Sequence, residues 1–289
     1  MAMVQSPRLF VMMKTKDKHW PYIPFNSPVK TTPINLGNGL TIGGKSIVMM
    51  AGPCAVENEE QMAKTGSAVQ KSGVKVLRGG AYKLRTNPRT FEGLGLEGLK
   101  LLNKVAKKLA LLTITEIIDV RDIDVVCQYS DILQIGTRNM QNYSLLKEVG
   151  KTKKPVVLKR GMSATVQEFL LAADHIIMRG NSKVILCERG IRTFETETRN
   201  TLALATIPLV KELSHLPIIV DPSHSTGRAS LVPAMTKAAL AAGADGMLID
   251  VHSNPEKALC DGEQALTNAQ FQKLMKELNP LAKAINRSL

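Results

Sequence analysis

The chain has 289 residues, of which 44% are hydrophobic and only 4% aromatic, and its formal net charge is +13. This length suits one α/β barrel, since such barrels commonly reach about 250 residues as a single domain, and the few aromatic residues favour an aliphatic α/β core over a β-sandwich. The charge indicates a solvated basic surface or a site for phosphorylated acids. Nucleic-acid binding is not expected, because no basic run is interleaved with aromatic residues.

The sequence has four cysteines, Cys54, Cys127, Cys187 and Cys260. They are widely spaced and form no CxxC pair, which argues against a disulfide framework or a zinc knuckle and favours a reducing, cytoplasmic location. No apolar run approaches the roughly 20 residues that cross a membrane, so no membrane association is expected.

Residues 1–35 contain five basic residues, five prolines and one acidic residue, Asp17. The prolines and the single arginine argue against a transit peptide. We therefore predict a loosely ordered basic arm at 1–35, followed by one barrel domain at 36–289.

Short apolar runs alternate with longer amphipathic stretches about eight times from residue 47 onward. Each run is nearly continuous in apolar residues, as buried parallel strands are. The predicted strands are Ile47–Ala51, Val74–Leu77, Leu112–Thr115, Ile132–Ile135, Val156–Leu158, Val184–Leu186, Ile218–Val220 and Met247–Ile249. Helices are predicted at Leu96–Leu109, Ser163–Met178 and Ser230–Ala242, and Gly73 and Gly243 are predicted helix ends. A hairpin at Gly37–Gly43 is expected at the barrel bottom. The sequence thus predicts a (β/α)8 TIM barrel with a short N-terminal extension and a β-hairpin.

Polar side chains follow almost every predicted strand, at the end where the active sites of such barrels lie. The cations there are Arg78, Lys83, Arg85, Arg138, Lys159, Arg160, Arg189 and Arg192. Loops and helix N-termini are polar in any case, but so many cations beside strand ends favour a site for a ligand with a phosphate and a carboxylate, or two phosphates. For Lys159 the alternative is a structural salt bridge with Glu116 or Glu188. Arg189, Arg192 and Arg199 have the alternative of surface pairs with Glu195 and Glu197.

Four further residues suit a divalent transition metal. Cys54, His224, Asp250 and Asp261 offer one thiol, one imidazole and two carboxylates, and a barrel brings such strand-end positions together. Taken alone, Cys54 is more typical of a small buried hydrophobe and Asp261 of a turn residue.

Six motifs resemble a known family. They are Ala51–Cys54, Leu77–Lys83, Gln134–Asn142, Leu158–Gly161, Leu186–Phe194 and Val220–Gly227. In this order, over about residues 35–275, they resemble 3-deoxy-D-arabino-heptulosonate 7-phosphate (DAHP) synthase, type I-beta branch, which shares ancestry with 3-deoxy-D-manno-octulosonate 8-phosphate synthase. The resemblance implies condensation of phosphoenolpyruvate with erythrose 4-phosphate, the first step of the shikimate pathway, in a homotetramer.

The resemblance also implies roles for individual residues. One divalent ion (Mn, Fe, Co or Zn) would be bound by Cys54, His224, Asp250 and Asp261, with Lys83, Cys54 and His224 as catalytic residues. Phosphoenolpyruvate would be held by Arg78, Lys83, Arg138, Lys159 and Arg192, with Glu116 helping through a water. Arg85 and Thr86 would hold the phosphate of erythrose 4-phosphate.

Several positions depart from this family's pattern. Asp250 stands where the family usually has Glu, which shortens the side chain by about 1.5 Å and leaves His252 as an alternative donor. Leu84 stands where proline is usual, Arg89 where an aromatic residue is usual, and Ala203 where Asp is usual. Because only about 35 residues precede the hairpin, we expect no feedback inhibition through an added N-terminal domain.

Two other functions compete with this prediction. The octulosonate 8-phosphate synthase characteristically has Ala-Asn-Arg-Ser after the lysine, whereas this chain has Leu84, Arg85 and Thr86 after Lys83. A catalytically impaired barrel that binds phosphosugars is the second alternative, because Asp250 departs from the metal-binding pattern.

Overall fold

The structure is a computed structural model, and residues 30–289 are described here. The predicted basic arm, apart from its last few residues, lies outside the described residues. Within residues 30–289, none of the helices combines the length and the apolar character that a membrane-spanning helix requires.

Eight parallel strands form a closed barrel, preceded by a two-stranded hairpin. The strands are β1 (Ile34–Gly37), β2 (Leu40–Ile42), β3 (Val48–Gly52), β4 (Val76–Arg78), β5 (Leu112–Ile117), β6 (Ile132–Ile135), β7 (Val156–Lys159), β8 (Val184–Glu188), β9 (Ile218–Val220) and β10 (Gly246–Asp250). In the barrel, β3 to β9 are neighbours in chain order and β10 closes the ring against β3. The predicted (β/α)8 barrel is therefore confirmed, with every predicted strand within two residues of its observed bounds.

Helices follow the strands around the barrel. They are α1 (Glu59–Lys71), α2 (Leu96–Lys108), α3 (Ile123–Tyr129), α4 (Tyr143–Val149), α5 (Val166–Ile177), α6 (Thr206–Leu213), α7 (Pro222–Thr226), α8 (Val232–Ala241) and α9 (Asn268–Ala284). The predicted helix at Ser163 begins three residues later, because Thr165 and Glu168 form a capping box. Gly73 and Gly243 follow the ends of α1 and α8 with φ of +89° and +95°, as predicted for helix ends.

Alternation along each strand separates two apolar cores. Val48 and Met50 of β3 belong to the core inside the barrel, whereas Met49 and Ala51 pack toward the helices. The hairpin residues Ile34, Leu36 and Ile42 join the inner core. The hairpin therefore closes the barrel at the N-terminal ends of the strands and leaves the opposite end open.

Candidate active site

The inward-facing row of each strand becomes polar at the C-terminal end of the barrel. Val76, Ile114, Ile132, Val157, Cys187, Ile219 and Leu248 all belong to the inner core. Two residues after each of these, on the same face of the strand, stand Arg78, Glu116, Gln134, Lys159, Arg189, Asp221 and Asp250. The period of two thus places a ring of charged and amide groups over an apolar floor.

A cavity of about 270 Å³ lies at this end of the barrel. Seven of its lining residues are lysines or arginines: Arg78, Lys83, Arg85, Arg138, Lys159, Arg189 and Arg199. Glu116, Asp261, Thr86 and His224 also line it. This excess of positive charge in a concave site favours a ligand with several negative charges.

The structure brings the predicted metal-binding residues together beside this cavity. Cys54 Sγ lies 3.6 Å from His224 Nε2 and donates a hydrogen bond to Asp261 Oδ2 at 2.9 Å. His224 Nε2 lies 4.0 Å from Asp261 Oδ2. Ligand atoms of Cys54, His224 and Asp250 also lie within 4.8 Å of one another, as do those of Cys54, Cys260 and Asp261.

The chemistry of these donors fits a divalent metal ion. Thiolate, imidazole and carboxylate are the groups that bind such ions in proteins, and the donor atoms of Cys54, His224 and Asp261 lie 2.9 to 4.0 Å apart. In the metal-free protein, a hydrogen bond with Cys260 and burial raise the pKa of the Cys54 thiol. Metal binding would require that this thiol lose its proton.

His224 is positioned by a short helix whose start is encoded in the sequence. Asp221 is the N-cap of α7, and its Oδ1 accepts a hydrogen bond from the backbone N–H of His224 at 2.9 Å. Pro222 occupies the first turn, and Gly227 ends the helix with φ of +67°. The imidazole Nδ1 lies 2.8 Å from Asp221 Oδ2, so Nε2 faces Cys54 and Asp261.

Acidic neighbours keep the His224 imidazole positively charged in the metal-free protein. Burial disfavours the charged ring, but Asp221 and Asp250 outweigh burial and raise the pKa of His224 to about 9. Burial likewise opposes ionisation of Asp221, yet His224 and Lys159 hold the pKa of Asp221 well below its usual range.

Asp250 lies at the end of β10, opposite Gly52 of β3, and is fully buried. Its Oδ1 accepts a hydrogen bond from Arg78, and its Oδ2 accepts one from Gln264 Nε2 at 2.6 Å. His252, the alternative donor, instead lies with its Nε2 3.3 Å from Glu57 Oε2. The described residues thus place Asp250, rather than His252, with the cluster.

Lys83 joins the candidate metal-binding cluster to the cationic cavity. Its Nζ donates a hydrogen bond to Cys54 Sγ at 2.9 Å. Burial opposes the charge, but the sulfur atoms of Cys54 and Cys260 and the Glu116 carboxylate raise the pKa of Lys83 above its ordinary value. The ammonium group is therefore charged at neutral pH.

The ion pairs differ from the alternatives considered for the sequence. Lys159 Nζ pairs with Asp221 Oδ2 at 2.5 Å, not with Glu116 or Glu188. Glu188 pairs instead with Arg160, with 2.7 Å between its Oε2 and Nη1. Arg199 contacts Asp261, not Glu195 or Glu197. The partners named in the alternative interpretations of Lys159 and Arg199 are therefore not the ones that the structure shows.

Arg192 does not reach the cavity, and Arg189 takes its place. Arg192 is exposed, whereas Arg189 lines the cavity and is 4% exposed. Arg189 Nη2 donates to the backbone oxygen of His224 at 3.1 Å, while Nη1 is buried without a hydrogen bond among residues 30–289. The sequence analysis names Arg189 among the strand-end cations but assigns phosphoenolpyruvate to Arg192, although the alternation through Ile185 and Cys187 places Arg189 inside the barrel.

One loop after β4 forms the rim of the cavity nearest to Arg138. Arg85 Nε donates to Thr90 Oγ1 at 2.9 Å, and Arg138 Nη2 donates to Thr86 Oγ1 at 3.3 Å. The predicted pair Arg85 and Thr86 therefore lines the same cavity as the predicted residues Arg138 and Lys83, and Thr86 is exposed.

The fold and the site together define a barrel enzyme that binds phosphorylated acids beside a group of potential metal ligands. The chain belongs to the DAHP synthetase I family, whose sequence model matches residues 30–286. Membership in this family confirms the resemblance seen in the six motifs. It also confirms the predicted function, which is synthesis of DAHP from phosphoenolpyruvate and erythrose 4-phosphate.

Individual relatives support the same assignment. A phospho-2-dehydro-3-deoxyheptonate aldolase from Thermotoga maritima is 50% identical over 254 residues, which are 88% of this chain and 75% of that protein. The crystal structure of the Thermotoga maritima DAHP synthase matches with a TM-score of 0.88 and 47% identity, covering 93% of this chain and 79% of that one. A 2-dehydro-3-deoxyphosphooctonate aldolase from Desulfatibacillum aliphaticivorans is 30% identical over 88% of this chain and 99% of its own length. The lower identity does not favour the octulosonate alternative.

Proposed function

We propose that this cavity condenses phosphoenolpyruvate with erythrose 4-phosphate, with roles for individual residues as follows. The observation that carries the proposal is the position of seven cations and the cluster of Cys54, His224 and Asp261 at one end of one barrel. Phosphoenolpyruvate has a carboxylate and a phosphate, and erythrose 4-phosphate adds a second phosphate. The cavity's charge matches these three anionic groups.

Arg189, Lys159 and Arg138 are proposed to bind phosphoenolpyruvate. The Nη1 of Arg189 supports this role, because a buried N–H group without an acceptor among residues 30–289 gains most from an anionic ligand. Lys159 is already paired with Asp221, so it contributes a positive charge of fixed position. Arg78 donates a hydrogen bond to Asp250 and is therefore proposed to support the site rather than to bind phosphoenolpyruvate.

Arg85 and Thr86 are proposed to hold the phosphate of erythrose 4-phosphate at the open rim. This places the aldehyde end of the sugar toward Lys83 and the metal-binding cluster. There, Cys54, His224, Asp250 and Asp261 would hold a divalent ion, which would supply Lewis-acid polarisation of the aldehyde. Its identity among manganese, iron, cobalt and zinc stays a prediction, as does the homotetramer.

The chemistry forms a carbon–carbon bond and a carbon–oxygen bond from C2 to water, and it breaks the carbon–oxygen bond from C2 to phosphate. The enol carbon C3 of phosphoenolpyruvate attacks the aldehyde carbon, and the aldehyde oxygen takes a proton. Lys83 is proposed to deliver that proton from Nζ, because its ammonium lies 2.9 Å from Cys54 Sγ, at the edge of the cluster. Water adds to C2 and loses one proton, which restores the Lys83 ammonium. Phosphate then leaves with the electrons of its C2–O bond, and the C2 hydroxyl becomes the keto group by giving its proton to the departing phosphate.

The experiment is consumption of phosphoenolpyruvate in the presence of erythrose 4-phosphate, before and after chelation. We expect activity to disappear with the chelator and to return with added manganese. Arabinose 5-phosphate is the second substrate to test, and turnover comparable to that with erythrose 4-phosphate would contradict the assignment. Binding of phosphoenolpyruvate without turnover under any divalent metal would instead support the impaired barrel.

Two matched variants test the residue roles. Lys83→Met removes the proposed proton donor but retains much of the side-chain volume. Arg192→Met removes an exposed cation outside the cavity. We expect a loss of kcat for the first variant and unchanged kinetics for the second. Equal effects of the two would contradict the assignment of Lys83.

A further inference from the structure

Gln264 lies between the two carboxylates of the candidate metal centre. It is 2% exposed and closes a short 3-10 turn, Gly262–Gln264, directly after Asp261. Its Nε2 donates to Asp250 Oδ2 at 2.6 Å, and its Oε1 accepts from Arg199 Nη1 at 2.9 Å. This side chain therefore makes a polar contact at both ends of its amide.

The chemistry of the two neighbours fixes the orientation of this amide. A carboxylate only accepts and a guanidinium only donates, so the NH2 group must face Asp250 and the oxygen must face Arg199. The reversed amide would set oxygen against oxygen and nitrogen against nitrogen. Gln264 is thus held in one state by its surroundings.

Arg199 extends this contact to the second carboxylate. Arg199 Nη1, which donates to Gln264, also donates to Asp261 Oδ1 at 2.9 Å. Asp261 Oδ2 is then left facing Cys54 Sγ. A chain of three hydrogen bonds therefore joins Asp250 to Asp261 through Gln264 and Arg199.

We propose that Gln264, through Arg199, is a positioning residue that holds Asp250 and Asp261 in the arrangement the metal centre needs. The inference rests on the proposed function, because it assigns Gln264 to the same metal site. Two carboxylates that converge on one cluster repel each other without the ion. A neutral amide linked to a guanidinium holds their oxygens without adding a further negative charge.

Other residue types of similar size cannot make both contacts. Glutamate would keep the contact with Arg199 but would place a second carboxylate against Asp250. Methionine fills similar volume but leaves both Asp250 Oδ2 and Arg199 without their partner. These two substitutions separate the effect of charge from the loss of hydrogen bonds.

The test uses the full chain and the variants Gln264→Glu and Gln264→Met, with Gln272→Glu as the control. Gln272 is exposed on α9, so Gln272→Glu makes the same charge change away from the site. Affinity for Mn²⁺ and Co²⁺ is measured by competition with a chromophoric chelator, and the Co²⁺-loaded proteins are compared by absorption spectroscopy. Thermal unfolding of the metal-free proteins reports folding separately.

We expect both Gln264 variants to bind metal about 10- to 100-fold more weakly, as is typical when a residue that orients a ligand is removed. We also expect their cobalt spectra to change and the metal concentration for half-maximal activity to rise. Gln272→Glu should behave as the unmodified protein. If neither Gln264 variant folds, Arg199→Gln gives the same test, since its side chain is 39% exposed and it breaks the same connection.

The outcomes distinguish this inference from the proposed function. Unchanged metal affinity and an unchanged cobalt spectrum in folded Gln264 variants would overturn the inference while leaving the metal site intact. A lower melting temperature with an unchanged spectrum would overturn it as well, because that is the result of a packing role alone. If the unmodified protein binds no metal, the proposed metal site fails and the inference fails with it.

Discussion

The buried ion pair between Arg160 and Glu188 supports the strand ends that carry the cavity's cations. Arg160 and Glu188 are 6% and 0% exposed, and their facing atoms lie 2.7 Å apart. Both residues are next to an inward-facing cation in the sequence, since Arg160 follows Lys159 and Glu188 precedes Arg189. Glu188→Gln retains the shape of the side chain but leaves the Arg160 charge buried without a counter-ion.

The expected loss of folding free energy depends on the hydrogen bonds that Arg160 keeps. Loss of one member of a buried pair typically costs about 3–5 kcal/mol. The Arg160 guanidinium keeps hydrogen bonds to the Ala164 backbone oxygen and to Thr206 Oγ1. We therefore expect the lower end, about 3 kcal/mol, which corresponds to a melting temperature about 6–12 °C lower for a chain of this size.

The assay is thermal and urea unfolding at fixed protein and metal concentration, with Glu60→Gln as the control. Glu60 also pairs with a cation, Lys64, but both side chains are exposed, at 74% and 62%. The control should unfold at nearly the temperature of the unmodified protein. Equal shifts for Glu188→Gln and Glu60→Gln would refute the argument that burial decides the contribution of the pair.

Three further predictions concern the site directly. Arg189→Lys should raise KM for phosphoenolpyruvate roughly tenfold, because a planar guanidinium fork is lost, while Arg192→Lys should leave KM within error in the same steady-state assay. Gly136→Ala should lower kcat/KM with little change in melting temperature. The reason is that the new Cβ would overlap Glu116 Oε1 and displace that side chain. An unchanged kcat/KM would contradict a role for Glu116 in catalysis or binding. In metal-free protein, NMR should show His224 titrating with a pKa of about 9. Because this pKa is raised above about 6.5, the stability it contributes is complete below pH 6.5 and is lost as the pH rises through 9; a titration near 6.5 would contradict this.

The barrel could be predicted because buried parallel strands leave a simple pattern in the sequence. Runs such as Val156–Leu158 are apolar on both faces, since Val157 faces the barrel interior while Val156 and Leu158 pack toward the helices. Helix starts were harder, because Ser163 continues the polar pattern while the capping box at Thr165 sets the actual beginning of α5. The hydrogen bonds of one turn therefore decided the boundary, not hydrophobicity.

The strand alternation in β8 separates the two arginines that follow it, Arg189 and Arg192. Arg189 and Arg192 belong to the same motif and have the same charge, so residue type does not separate them. Alternation does: Ile185 and Cys187 face the barrel interior, and Arg189 is next in that row. Arg192 comes after Gly190, whose φ of +90° ends the extended backbone and with it the period of two.

The position of Asp250 could not be decided from the sequence, because it depends on contacts with residues far along the chain. A carboxylate shortened by about 1.5 Å has two possible outcomes: it withdraws from the cluster, or its neighbours hold it within reach. Arg78, which is 172 positions away, and Gln264, which is 14 away, bind its two oxygens. The parallel register of β10 with β3 sets Asp250 opposite Gly52, two residues before Cys54. Ligand atoms of Asp250, Cys54 and His224 consequently stay within 4.8 Å of one another, so the shorter side chain remains near the site because of backbone pairing and these two hydrogen bonds.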